Sequence, residues 1–237
     1  MNFLQLVQRL QLECGVSGTV TTAQNQIGSI GRLVTWIGQG WDELQTEHDD
    51  WEWMRSSNLL GAGVSFTTVA GQPSYPLGTG AGTCGVAVAN FGKWAKDSFR
   101  NYTTTVGVSN EMFLDDIPFD TWRDAYMLGA MRAVQTRPVA IAIGPDKSIC
   151  LGPPPNSLYT ITGDYYVAPS VMSADTDVPA LLPAQFHMLI VYKAMMMYAG
   201  YESAPEVFQR GMQEYALGLA QLEAIQLPQI TFAGSLA

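Results

Sequence analysis

Large side chains recur every three or four positions through Ile27, Ile30, Val34, Ile37, Trp41, Leu44, His48 and Trp51. That spacing lays seven apolar or aromatic groups and one histidine on a single stripe of a helix. The helix is predicted to run from about Thr22 to Met54, roughly 45 Å at ~1.5 Å per residue. So long a stripe needs another helix against it. Phe208, Met212, Tyr215, Leu219 and Leu222 repeat the spacing near the other end. Phe3, Leu4, Val7 and Leu10 predict a short first helix stopping at Cys14-Gly15. Two more helices are predicted, from about Ala184 to Tyr201 and from about Pro205 to Gln226, the latter stopped by Pro228.

Between these ends the period changes. Val64–Val69, Tyr75–Leu77, Val86–Phe91, Tyr102–Val108, Val139–Ile143, Ser148–Leu151 and Tyr159–Val167 read as strands among Gly-, Thr- and Pro-rich turns. Gly144-Pro145-Asp146-Lys147 is a hairpin turn. One short helix, over about Phe119 to Leu128, has Asp116 as its expected cap and Pro118 in its first turn. The expected class is therefore α+β: a helical bundle built by residues 1–60 and 180–228, an inserted antiparallel β-module over 61–179, and an apolar segment, 229–237, read as a docking tail.

Charged residues are only 14% of the chain and hydrophobic ones 47%. A freely soluble monomer carries closer to a quarter charged residues, so part of this surface is expected to lie under other subunits. The net charge of −9 and the scattered basic residues argue against a surface gripping nucleic acid, which needs clustered Lys and Arg. The start has no apolar signal region, and Met188–Tyr201, interrupted by Lys193, is too short for a membrane span. Cys14, Cys84 and Cys150 fit no zinc spacing and are expected as reduced thiols of a protein made in a cytoplasm.

Candidate chemistry is sparse. Gly80 to Gly85 matches G-x-G-x-x-G but does not sit between a strand and a helix, so no dinucleotide is expected. His48 and His187 lie on predicted helices with no orienting carboxylate and no metal partner. No cofactor and no metal are expected. Asp175-x-Asp177 stands in a Ser/Thr/Pro loop, where aspartate caps turns. Two other function classes stay open from these residues. One is a glycoside hydrolase using two of Asp115, Asp116, Asp120 and Asp124. The other is a carbohydrate-binding module stacking sugars on Trp51, Trp53 and Trp94.

Three further features bear on assembly. Gly31 and Gly38, seven apart beside the stripe, suit close backbone approach, and with Trp36 and Trp41 they form the expected subunit-packing set. Asp42, Glu43, Glu47, Asp49, Asp50 and Glu52 form the densest charge run. Ile230, Phe232 and Leu236 carry the apolar character of the last segment.

The stretch Trp41…His48-Asp49-Asp50-Trp51-Glu52-Trp53-Met54-Arg55 resembles the opening of head-to-tail adaptor proteins of tailed bacteriophages. So do Phe66-Thr67-Thr68-Val69-Ala70-Gly71-Gln72-Pro73-Ser74-Tyr75-Pro76-Leu77, Ile117-Pro118-Phe119-Asp120-Thr121-Trp122-Arg123 and the closing Gly163-Asp164-Tyr165-Tyr166…Leu227-Pro228. The resemblance implies a non-enzymatic virion protein at the head–tail junction. It further implies a homo-oligomeric ring, commonly of twelve copies, seated under the portal protein and joined to a tail or nozzle protein. A ring around a DNA passage would turn Asp42, Glu47, Asp49 and Asp50 toward it without sequence-specific DNA binding. Ile230, Phe232 and Leu236 would dock on the portal or a neighbouring subunit.

Overall fold

A computed structural model describes residues 1–227, apart from the side chain of Asn58. The chain is mixed α+β, with five α-helices and two largely antiparallel sheets among the described residues. It divides into two compact units: Met1–Met54 with the chain from Pro169 onward, and Arg55–Ala168. The junctions fall at Met54/Arg55 and Ala168/Pro169, each earlier in the chain than the expected 60/61 and 179/180. Arg55 already pairs in a sheet, whereas the 170s bond to residues of the helical unit. Phe3 N–H donates to the Asp177 carbonyl, Ser170 N–H to Gln45, and Ala23 N–H to the Asp175 carboxylate.

The helical unit contains α1 (Phe3–Glu13), α2 (Gly28–Thr46), α4 (Met188–Glu202) and α5 (Pro205–Gln226). A capping box between Asn2 and Gln5 starts α1. α4 is apolar nearly all round because it packs against α1, α2 and α5. It turns into α5 through Ser203 in the left-handed region (φ 55°). Pro205 then opens α5, where the missing N–H costs nothing.

α2 is shorter than the predicted helix, 19 residues from Gly28 to Thr46. Upstream, Asn25 (φ 53°) and Gly28 (φ 66°) take the left-handed conformation, and Ala23 is tied to Asp175. Ile27, predicted on the stripe, becomes an N-cap that is 88% exposed. Downstream, the indole N–H of Trp51 donates to the Leu44 carbonyl at 3.1 Å. A tertiary contact therefore satisfies an end carbonyl that a further helical turn would have used. Leu33, Ile37, Trp41, Leu44 and Trp51 are buried, each contributing about 1.5–3 kcal/mol or more on the scale of large apolar side chains.

The second predicted stripe is only partly core. α5 lies on α4 through Gly211, Tyr215, Gly218 and Leu222. Phe208 and Met212, one step round the helix, stay exposed. At Gly211 a Cβ would sit 3.0 Å from the Tyr192 carbonyl oxygen, so glycine sets the helix spacing.

In the β unit, β1 (Arg55–Ser56), β2 (Val64–Thr67), β4 (Phe91–Thr103), β5 (Met112–Phe113) and β9 (Tyr159–Val167) form one antiparallel sheet. β3 (Ser74–Tyr75), β6 (Asp115–Asp116), β7 (Ala140–Ile143) and β8 (Ile149–Gly152) form another, with only β6 and β7 parallel. Phe66, Phe99 and Ile161 of the first share a core with Tyr75, Ile141 and Leu151 of the second. Alternation sends Ala142 and Cys150 to the other face of the second sheet. There they meet Trp122 of α3 (Phe119–Tyr126). Pro118 itself is the α3 N-cap, since Asp116, the expected cap, is held in β6. β4 begins at Phe91, after a 3-10 turn over Val88–Asn90 where a strand is predicted.

His187, predicted within a helix, is the residue just before α4 and is 3% exposed. Its Nε2 lies 3.1 Å from the Leu182 carbonyl and its Nδ1 2.6 Å from the Met1 amino nitrogen. Burial holds the imidazole below its ordinary pKa. Protons bind the unfolded histidine first, so its share of stability is complete above about pH 6.5 and is lost as pH falls below that. His187→Gln should flatten the stability–pH curve between about pH 6.5 and 5. An unchanged slope in urea titrations would rule this out.

Candidate assembly surface

Net charge is segregated between the two units. The β unit carries eight acidic and eight basic side chains and is neutral; the helical unit carries thirteen acidic and four basic and holds the whole −9. Arg9 and Arg210 both grip Glu13 at 2.7 Å, tying α1 to α5. Lys193 of α4 lies 3.0 Å from Glu43 and 3.9 Å from Glu47. Its ammonium also stands 5.0 Å from the Tyr215 ring centre. Burial, with Glu47 and Glu43 nearby, pushes the Tyr215 hydroxyl well above the ordinary tyrosine range.

The acidic run thus has two parts. Glu43 and Glu47 share the single charge of Lys193, which lies closer to Glu43. Asp42, Asp49 and Asp50 have no cation at ion-pair distance among the described residues, and Asp42 and Asp49 are exposed. His48 closes the group: its Nε2 is 2.8 Å from the Glu223 carboxylate, and its ring meets Trp51 edge-on at 4.9 Å. His48 sits in the turn after α2 and links that turn to α5, where the stripe puts it on a helix face.

The expected packing residues separate by environment. Trp41 is 1% exposed, its ring 5.6 Å from that of Trp53, so it packs inside its own helical unit. At Gly31 an added Cβ would meet the Gln26 carbonyl of the same chain at 2.6 Å, and at Gly38 it would meet nothing within 4 Å. Among the α2 glycines it is Gly40 that closely approaches another helix, its Cβ position 3.0 Å from the Ile190 carbonyl oxygen of α4. Trp36 is half-buried against Tyr198 (6.0 Å) and Tyr201 (5.9 Å), and Arg32 covers the Tyr201 ring at 4.0 Å. Ile230, Phe232 and Leu236 lie outside the described residues.

Geometry weighs against both alternative chemistries. Trp51, Trp53 and Trp94 are buried, so they have no face to offer a sugar. Asp115 and Asp116 are neighbours on a strand and point to opposite faces. Asp120 and Asp124 are exposed and flank Arg123, at 3.1 Å each, in open water rather than in a cleft that would tune a general acid. Asp175 accepts from Ala23 N–H, and Asp177 from the N–H groups of Ser173 and Ala174. Both cap turns. Those N–H groups hold the Asp177 carboxyl below its usual range. The three cysteines are free thiols, and burial pushes Cys14 up to about 12.

The stripe pattern misses a second kind of surface. Leu217 and Ile225 on α5 are 65% and 55% exposed and line a groove against α4. In the β unit, Leu59, Val108 and Phe113 rim a hollow floored by the Arg55–Asp164 and Arg100–Glu111 pairs. The i, i+4, i+8 spacing of Leu217, Gln221 and Ile225 is the one signal that points to the first. No helix of the described residues is long and apolar enough to cross a membrane.

No curated protein matches the chain. A family model described as SU10 adaptor protein matches residues 1–234. With that match running through both the helical and the β unit, the chain belongs to the SU10 adaptor protein family, structural adaptors of bacteriophage particles.

Proposed function

We propose that this chain is a non-enzymatic ring subunit at the head–tail junction, joining the portal protein to a tail or nozzle protein around the DNA passage. Twelve copies is the expected ring size. The observation that carries the reading is the segregated charge: the helical unit holds all of the −9, with unpaired acids at Asp42 in the last turns of α2 and at Asp49 and Asp50 just beyond it. Acidic walls repel the DNA phosphates and let the duplex slide without sticking. Glu47 takes a lesser part because Lys193 offsets it. The four helices act as one bundle built from both ends of the chain, with the β-module, in chain order, inserted between its halves. The open face of α2 at Gly38, with Gly31 two turns back on the same side, packs on the next subunit, and Trp36, on the other side of the helix beside Tyr198 and Tyr201, makes a separate contact. Trp41 supports that face from within.

The segment 229–237 contacts a neighbouring subunit or the portal through Ile230, Phe232 and Leu236. An uncharged, largely apolar sequence favours such docking over open solvent. Deleting Gln229–Ala237 should leave the chain folded and weaken attachment to filled heads; normal tail joining would sink that part of the reading.

Native mass spectrometry of the protein, alone and with portal, tests the whole reading. A ring-sized assembly bound to portal is expected, and a monomer under both conditions overturns it. For the acidic wall, replacing Asp42, Asp49 and Asp50 together by lysine should make the assembled protein retain duplex DNA at low salt, with retention falling steeply as salt rises. Indifference to DNA in gel-shift assays of this variant would remove those residues from the passage.

A further inference from the structure

We infer that the groove between α4 and α5 of one copy receives the segment Gln229–Ala237 of a neighbouring copy, an inference that rests on the ring reading above. Phe186, Met188, Leu189 and Tyr192 form one side of the groove, and Leu217 and Ile225 the other. Gly218 lets the floor come close: a Cβ there would stand 2.5 Å from Leu189 Cδ2. Glu214 is its one charged lining residue, at one end. A groove of this kind suits an uncharged, one-sidedly apolar strand. Residues 228–237 contain no charged side chain, and Ile230 and Phe232 alternate with Gln229 and Thr231.

Length permits the fit. From Ile225 back to Glu214 the groove follows α5 for roughly 17 Å at ~1.5 Å per residue. Ten extended residues reach up to about 33 Å.

The exit from α5 selects a second copy over the segment's own groove. The chain does reverse sharply after α4, and there Ser203 takes the left-handed conformation that such a reversal uses. At the end of α5, Leu227 is extended (φ −97°, ψ 145°) and is followed by Pro228. Leu227, the last described residue, thus supplies no left-handed reversal, while the groove runs back along α5. One copy donating a segment to the groove of the next is a head-to-tail contact between unlike surfaces, the type that generates rings.

Disulfide trapping in the full chain tests this. Leu217→Cys is combined in turn with Ile230→Cys, Phe232→Cys or Leu236→Cys, with Cys14→Ser to remove the half-exposed thiol. After mild oxidation of the assembled protein, at least one pair should give a ladder of linked chains on a denaturing gel. The single-cysteine controls should give none. Links within one chain only, or no links in an oligomeric protein, overturn this inference and leave the ring reading standing. A wild-type chain that is monomeric by native mass overturns both. Independently, Leu217→Glu with Ile225→Glu should keep the wild-type circular-dichroism melt but weaken self-association at least tenfold. Unchanged self-association would count equally against the groove.

Discussion

Trp41→Ala is expected to destabilise the helical unit by about 3–5 kcal/mol, the range for truncating a large buried aromatic. Trp41 is 1% exposed and lies among Ile37, Leu44 and Trp53, all buried. Its indole nitrogen has no hydrogen-bond partner among the described residues, so the loss is one of packing and cavity formation and not of a polar contact. Trp41→Phe should therefore recover much of the stability, as no acceptor is stranded by removing the N–H. Against a typical total of 5–15 kcal/mol, the alanine variant should lose a large part of its cooperative transition. Urea denaturation checks this, and a midpoint near that of the wild type would show that Trp41 supports nothing.

Gly40→Val and Gly38→Ala should move stability in opposite directions. At position 40 a Cβ meets the Ile190 carbonyl oxygen at 3.0 Å, Lys193 Cβ at 3.5 Å and the Ala194 nitrogen at 3.6 Å. Two of those atoms are backbone, so α4 must shift as a whole, and about 1–3 kcal/mol is lost to overpacking. At position 38 the space is open, and alanine in place of glycine gains up to about 1 kcal/mol of helix propensity. Gly38→Leu should likewise fold, yet weaken self-association if this face meets a neighbour. Thermal melts of the isolated chain read the first two effects and native mass the third. Equal melting temperatures for the position 38 and 40 variants would contradict the packing described.

Local pattern identifies elements where the signal is long and one-sided. The α5 limits expected from Pro205 and Pro228 are those observed, and so are the ends of β9, Tyr159–Val167. The ends of α2 are not legible. They depend on contacts with residues distant in sequence, Ala23 with Asp175, or on a side chain folding back, as Trp51 does onto Leu44. β4 is hidden over Lys93–Arg100 because its register shifts between Ala95 and Arg100, which breaks the period-two alternation.

For the candidate surface, sequence alone determined the acidic run, the apolar last segment, the lack of clustered basic residues and the order of helical and β regions. These are properties of composition and spacing. Only the tertiary structure decided which groups face solvent. Gly31, Gly38 and Gly40 look alike in the chain, yet one faces its own loop, one is open and one receives α4. Trp51, Trp53 and Trp94 read as sugar-stacking candidates until packing buries them. Glu47 and Asp49, two residues apart in one run, differ because Lys193, some 145 residues on in sequence, reaches only the first. Burial and ion pairing are set by what the fold brings from elsewhere, and no local window of residues contains that.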